Sequence, residues 1–352
     1  MKQIAGDTFL VGLSSKARQQ RRPESVTFEL TYGCNLRCVH CFNPTHRALP
    51  QELDRKEIVA ILDQLADLGV LTITFTGGEL GTRVDLEPIL RHTHRRGLLI
   101  RLLTNATRVT PEFLVLLGRL NVEQICVSIY GATHETYERM TGVPGSYASF
   151  HRGLVLLAHA DLPVIVRMPV TTLNYHEIEA CRHLVENLGL KFQYCLDLTP
   201  TVTGDVTPLQ YRLTPEEKIR IDRAMLSNWG STPSTELCPP SDDFIECACG
   251  QNRFAITPYG EMNLCTAFPI PRYDLTTGTV REGWEVLKRT VDDARPNHQY
   301  ECPICESRSY CRQGRNDAWL EIGDMSTCLP HFRQWAELEH RTHVLLDPRR
   351  PA

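Results

Sequence analysis

From residue 26 to residue 198 the chain repeatedly changes its hydrophobic period, and this alternation limits the fold more than any other feature. Stretches 26–32, 71–77, 98–105, 123–130, 163–170 and 191–198 read as strands. Between them, 54–69, 85–97, 110–120, 146–160 and 176–189 read as helices; in the first, Ile58, Ile61, Leu62 and Leu65 share one face and Gly69 is a stop. Six β/α units with short connections imply a parallel sheet, either curled into a partial barrel or open and doubly wound.

The faces of the strands sharpen this. Alternate strand residues point the same way. One face reads Thr72, Thr74, Thr76; Arg101, Leu103, Asn105; Cys126, Ser128, Tyr130; and Gln193, Cys195, Asp197. The other face carries Ile73, Phe75, Ile125, Val127, Phe192 and Leu196, an apolar layer suited to covering helices. A polar interior does not fill a closed barrel as branched aliphatics would. The expectation is an α/β fold: a wide, incompletely closed, TIM-like partial (β/α)6 barrel over residues 24–198, lined for a ligand. A register read one residue out would exchange the faces of a strand.

A chain of 352 residues is long for one core, so a second, smaller unit is expected. Residues 1–23, with the basic stretch "KARQQRR", read as a solvated N-terminal arm. Residues 199–236, rich in Thr and Pro, read as a linker with one short helix at 215–227; 237–335 form a cysteine-rich unit and 336–352 a tail. Hydrophobic content of 42% with 23% charged residues fits a globular protein. A net charge of −4 gives no reason to expect nucleic-acid binding. There is no apolar run long enough to span a bilayer and the N-terminus lacks the apolar core of a signal peptide, so the expected location is the cytoplasm, away from membranes.

Fourteen cysteines are many for a reducing compartment, where structural disulfides are rare and metal ligation is the natural use of clustered thiols. Three of them, Cys34, Cys38 and Cys41, stand in "CNLRCVHCF" at the end of the first strand, spaced C-x3-C-x2-C. Three thiolates hold three corners of a four-iron cube that normally takes four, leaving one iron open to a cofactor or substrate. A zinc knuckle is the alternative reading of the cysteines alone.

The loop, with Phe42 after its last cysteine, resembles the signature of the radical S-adenosylmethionine (radical SAM) superfamily. "TGGEL" (76–80) is similar to that family's glycine-glycine-glutamate segment, with Leu80 where a proline is usual; "LLTNAT", "VSIYGATHETYERMTGVPGSY" and "VRMPVTTLNY" look like its later strand ends. The resemblance implies a [4Fe-4S] cluster on Cys34, Cys38 and Cys41, whose open iron is chelated by S-adenosylmethionine. It implies an electron from a flavodoxin- or ferredoxin-type donor, cleavage of the cofactor and a 5′-deoxyadenosyl radical that abstracts hydrogen from substrate. Gly77 and Gly78 would let the backbone approach the methionine moiety; Gly78 and Glu79 would take its amino group. Phe42, Asn105, Ser128 and Arg167 would complete the cofactor site, the arginine fork suiting a carboxylate.

The later cysteines resemble the SPASM extension of such enzymes, which holds auxiliary iron–sulfur clusters. Cys249 and Cys265 precede Cys302-x2-Cys305-x5-Cys311, with Cys328 further on, and 274–288 fits the joining segment. Where the pattern has a further cysteine, this chain has Arg315. Cys302, Cys305, Cys311 and Cys328 suffice for one auxiliary cluster; a second would draw on Cys249 and Cys265 with Cys247 and Cys238. One or two auxiliary clusters are therefore expected, with zinc at "CPIC" the alternative.

The sequence most resembles peptide-modifying members, so a ribosomally made peptide is the expected substrate, with a small metabolite such as an aminoglycoside, cofactor precursor or tetrapyrrole as the other enzymatic reading. A non-catalytic iron–sulfur or zinc module is the reading of another class. Only residues 1–23 precede the barrel, so a separate partner would supply leader-peptide binding. Cys195, at the end of the sixth strand with Asp197 beside it, is a candidate donor of a hydrogen atom to a substrate radical.

Overall fold

The computed structural model describes residues 6–43, 45–120, 122–229 and 243–346. Six parallel strands, β1 (Ser25–Glu29), β2 (Thr72–Thr76), β3 (Leu99–Thr104), β4 (Gln124–Ser128), β5 (Val164–Pro169) and β6 (Lys191–Cys195), lie side by side in sequence order. They alternate with α2 (Arg55–Leu68), α3 (Leu86–Arg95), α4 (Pro111–Leu120), α5 (His134–Thr141), α6 (Ser146–Ala158) and α7 (Ile178–Asn187). The partial barrel is as the alternation implies.

Local chemistry sets these boundaries. Asp54 caps α2 by accepting from the N–H groups of Lys56 and Glu57, Glu57 returns a bond to the Asp54 N–H, and Gly69 closes the helix at φ 89°. The eight-residue α5 lies within a stretch read as a strand end with its following loop. Thr133 and Gly142 cap it, and it buries Tyr137 and Met140, too short a pattern to stand out as periodicity.

The strand faces divide as expected. Ile73, Phe75, Ile125, Val127 and Val166 are fully buried under Ile58, Leu62, Leu65, Ile89, Leu90 and Leu154 of the helices. The parallel register puts Thr74 beside Arg101, Leu103 beside Cys126, Ser128 beside Arg167, and Arg167 beside Gln193 on the inner face.

The C-terminal region departs from the expectation of a separate unit. Strand β7 (Arg253–Ile256) pairs in parallel with β1, and β8 (Glu261–Asn263) and β9 (Tyr273–Asp274) continue the sheet to nine strands. Without β7 the edge of β1 would be left unpaired. Phe254, Ile256, Met262 and Trp284 belong to the same core as the barrel. Helix α9 (Val280–Asp293) docks on α2, with the Val280 N–H donating to Gln64 Oε1 at 2.9 Å.

The flanking segments are also docked. Residues 6–19 form α1 (Gly6–Gln19), and the basic stretch is engaged: Arg18 donates to Gln251 Oε1 at 2.6 Å and to the Glu246 carbonyl at 2.7 Å, and Arg21 pairs with Asp292 at 2.7 Å. In the stretch read as a linker, Arg212 donates to the Leu198 carbonyl and forks onto Glu321, and α8 (Pro215–Trp229) packs against α11 (Pro330–Leu346). That last helix runs through the expected tail as far as residue 346. Between them α10 (Arg315–Ile322) completes the C-terminal layer. Among the described residues, no helix is long and apolar enough to cross a membrane.

Candidate functional site

The three-cysteine loop sits where β1 ends, at the C-terminal mouth of the parallel strands, the end at which such barrels place their chemistry. All three thiols are half-buried. The Leu36 N–H points at Cys34 Sγ at 3.4 Å, and the loop is tied to α5 by bonds from the Arg37 and Val39 N–H groups to the Thr141 and Met140 carbonyls. Burial pushes the Cys34 and Cys38 thiols up and that of Cys41 up to about 12, and each of the later two also feels the charge of its loop neighbours. Tyr130 faces the Cys38 thiol, and Ser128 faces the Tyr130 hydroxyl. His40, half-buried with its ring 5.1 Å from that of Tyr130, is driven down to about 4 by desolvation and stays neutral.

Among the described residues, no three His, Cys, Asp or Glu side chains converge as a site for a single metal ion. The donor set is instead three thiols that sense one another across a loop, with an N–H directed at one sulfur. This fits a four-iron cube, which holds its ligating sulfurs further apart than one ion does.

The glycine-glycine-glutamate segment is bonded to this loop by its backbone. A Cβ on Gly77 would meet the Thr31 carbonyl oxygen at 2.2 Å and one on Gly78 the Gly33 carbonyl oxygen at 2.1 Å. The Gly78 N–H donates to the Thr31 carbonyl at 2.6 Å and the Glu79 N–H to that of Gly33 at 2.9 Å. The glycines are thus required by backbone-to-backbone approach between the ends of β1 and β2. Glu79 is buried and its carboxylate is occupied: Oε1 accepts from the Gly81 N–H at 3.1 Å and the Thr104 hydroxyl at 2.8 Å, and Oε2 from the Asn105 N–H at 2.7 Å. Burial raises its pKa, and these bonds oppose the rise.

Asn105 is held beside the loop. Its Nδ2 lies 4.0 Å from Cys34 Sγ and donates to Asn35 Oδ1 at 3.2 Å, while its Oδ1 accepts from Thr107. Arg167 is exposed inside the barrel and donates to Gln193 Oε1 at 2.9 Å. Phe42 anchors the loop through its carbonyl, which accepts the Val202 N–H at 3.0 Å. Cys195 is half-buried at the end of β6, its Sγ 3.9 Å from the Asp197 carbonyl, and burial pushes its thiol up. Asp197 Oδ1 accepts from Lys218 Nζ at 3.1 Å.

The later cysteines fall into two groups. The Cys249 thiol contacts both Cys247 and Cys265, and Cys238 lies outside the described residues. Cys311 and Cys328 feel each other and Cys302, and Cys328 also feels Cys305.

Three groups here were not legible as site residues. Asn35 sits inside the signature loop at one of the positions between its spaced cysteines, which the spacing alone does not single out. Lys218 is buried and lies 4.1 Å from the Trp335 ring centroid, yet the surrounding "PEEKIRIDR" reads as an ordinary exposed helix. Glu29 is buried on the inner face of β1, with Oε2 at 3.4 Å from the Tyr32 hydroxyl and Oε1 unpartnered; a charged residue in a strand gave the one available signal.

Residues 28–185 match the family model of the Radical SAM superfamily. The chain is 29% identical over 329 residues to an AdoMet-dependent heme synthase of Methanosarcina barkeri, covering 86% of this chain and 94% of that protein. It is 25% identical over 313 residues to the mycofactocin maturase MftC of Mycobacterium tuberculosis, covering 83% of this chain and 78% of that one. Among solved structures, Streptococcus suis SuiB bound to precursor peptide SuiA superposes with a TM-score of 0.69 at 14% identity, over 95% of this chain and 83% of that chain. The last likeness is one of fold.

Proposed function

Residues 28–185 are a radical SAM domain, and from that premise we propose that this enzyme matures a ribosomally made peptide by abstracting a hydrogen atom from it. The observation that carries the reading is the placement of Cys34, Cys38 and Cys41 at the mouth of six parallel strands, with Asn105 drawn to 4.0 Å from Cys34 Sγ. A cluster on these thiols, with S-adenosylmethionine at its open iron, supplies radical hydrogen abstraction when bound.

The chain's own residues divide the work. Cys34, Cys38 and Cys41 hold the cluster; Gly77, Gly78 and Glu79 lock the loop to β2 and β3. Asn105, Ser128 and Arg167 line the interior beyond the loop, where the Arg167 fork, steadied by Gln193, suits a carboxylate. Phe42 fixes the loop's exit. Cys249 and Cys265, with Cys247 and Cys238, and Cys302, Cys305, Cys311 and Cys328 hold one or two auxiliary iron–sulfur clusters that make the chemistry oxidoreductive. Cys195, kept protonated by burial, gives its S–H hydrogen atom to the substrate radical where the product is an epimer, and the thiyl radical left behind is restored by one electron from the flavodoxin- or ferredoxin-type donor and one proton from solvent, with Asp197 anchored by Lys218 beside it. The peptide preference draws on the similarity to a mycofactocin maturase and the shared fold with a precursor-peptide complex. A leader-binding protein and a flavodoxin- or ferredoxin-type donor are the partners this reading requires.

The similarity to a heme synthase over nearly its whole length favours a second reading, in which the substrate is a haem precursor. Anaerobic, reduced enzyme is mixed with S-adenosylmethionine and either a candidate peptide or a haem precursor, and 5′-deoxyadenosine and substrate mass are followed. Loss of two mass units from the peptide identifies crosslinking or oxidation; deuterium uptake from solvent without other change identifies epimerisation, which Cys195→Ala should abolish while 5′-deoxyadenosine still forms. Turnover with the haem precursor alone overturns the peptide reading, and no 5′-deoxyadenosine with either overturns both.

A further inference from the structure

The residue that breaks the C-terminal cysteine pattern turns back onto one of the remaining cysteines. Arg315 opens α10, and its Nη2 donates to Cys302 Sγ at 3.6 Å while Nη1 donates to the Met325 carbonyl at 3.1 Å. The guanidinium carbon lies 5.7 Å from the Phe244 ring centroid and 5.2 Å from that of Tyr300. The residue is buried, 9% exposed, and among the described residues no carboxylate pairs with it, Glu321, Glu246 and Glu339 being taken by Arg212, Arg308 and Arg312. Buried charges are normally paired, and this one has a carbonyl, two ring faces and a sulfur. The missing counter-charge is on the sulfur side. Cys302 stands with Cys305, Cys311 and Cys328, and Arg315 also bears electrostatically on Cys311.

We infer that Arg315 is a positioning residue that raises the reduction potential of an iron–sulfur cluster held by Cys302, Cys305, Cys311 and Cys328. The inference rests on the reading that these four thiols hold such a cluster. One-electron reduction adds one negative charge to the cluster and its thiolates. A fixed guanidinium at hydrogen-bonding distance from one of them stabilises that added charge more than it stabilises the oxidised form. The substitution that removes a ligand from one auxiliary group therefore supplies a cation to the other. Second-shell donors of this kind tune a centre without ligating it. The aromatic bracket and the Met325 carbonyl hold the donor in place, so its effect is built in before any substrate arrives.

The test is a potentiometric titration of the reconstituted full-length chain followed by electron paramagnetic resonance. The signal of interest is the one that Cys305→Ala removes. Arg315→Met and Arg315→Lys are then titrated beside the parent chain. The expected result is a midpoint moved to more negative potential in both, further in Met, which loses charge and donor, than in Lys, which keeps the charge on a shorter reach. Iron per chain should be unchanged in Arg315→Lys, and that variant decides the matter if Arg315→Met does not hold its cluster. A signal that persists with its midpoint unmoved overturns the role of Arg315. Failure of Cys305→Ala to remove any iron or any signal overturns instead the cluster reading beneath it.

Discussion

Glu79 Oε2 accepts the backbone N–H of Asn105 at 2.7 Å, and this bond sets the end of β3 where the Asn105 amide can face the Cys34 sulfur. The same carboxylate takes the Gly81 N–H and the Thr104 hydroxyl, so three donors converge on one buried group. Glu79→Gln replaces one acceptor oxygen with a donor that opposes an N–H or O–H. A loss of about 2–3 kcal/mol is expected. Anaerobic urea denaturation of both proteins measures it, and coincident unfolding midpoints would refute it.

Gly78→Ala should disconnect the loop from the barrel. The new methyl group would stand 2.1 Å from the Gly33 carbonyl oxygen, backbone that cannot swing aside as a flexible side chain can. Relief requires the two strand ends to part, breaking the bonds from Gly78 and Glu79 to Thr31 and Gly33. We expect the variant to take up less iron on reconstitution, with the deficit confined to the cluster of Cys34, Cys38 and Cys41. Iron and sulfide assays on Gly78→Ala, with and without the three loop cysteines, provide the comparison; normal iron content would contradict the expectation.

Glu29 predicts a pH-dependent stability. Burial raises its carboxyl from 4.5 to about 8, so between these values the folded chain holds a proton that the unfolded chain has lost. Its contribution is therefore complete at low pH and disappears as pH rises through about 8, costing of order 3 kcal/mol between pH 5 and pH 8. Glu29→Gln keeps the shape without the ionisation. It should be nearly neutral in anaerobic thermal melts at pH 5 and stabilising at pH 8; an equal effect at both values would show that the group does not titrate in this range.

The pair formed by Lys218 and Asp197 is unequally buried, with side-chain exposures of 3% and 39%. Removing either partner therefore has different consequences. Asp197→Asn leaves an ammonium under the Trp335 ring without its counter-charge, a loss of about 3–5 kcal/mol. Lys218→Met leaves a carboxylate that water can still reach, and replaces the buried amine with an apolar chain of similar length, so about 1 kcal/mol or less is expected. Chemical denaturation of the two single variants tests the order, which a larger loss in Lys218→Met would reverse.

The parallel sheet, its apolar outer face and the three-thiol loop at its mouth can all be read from the order of the residues. Each of these is written in local spacing: period two in strands, helical period between them, and cysteines within one short turn. What lies across from what is set by the closed chain. Glu79 and Gly78 read in the sequence as ligand-binding residues, and the fold shows in addition that they join three strand ends. Strand β7 closes onto β1 from more than two hundred residues away, and Lys218 on a helix of ordinary appearance is buried under α11. Arg315 marks a missing thiol in the sequence, and its bond to Cys302 exists because α10 starts facing that loop. The cause is the same in each case: periodicity and capping act within a few residues, whereas burial and counter-charge are set by segments that meet only when the chain has closed on itself.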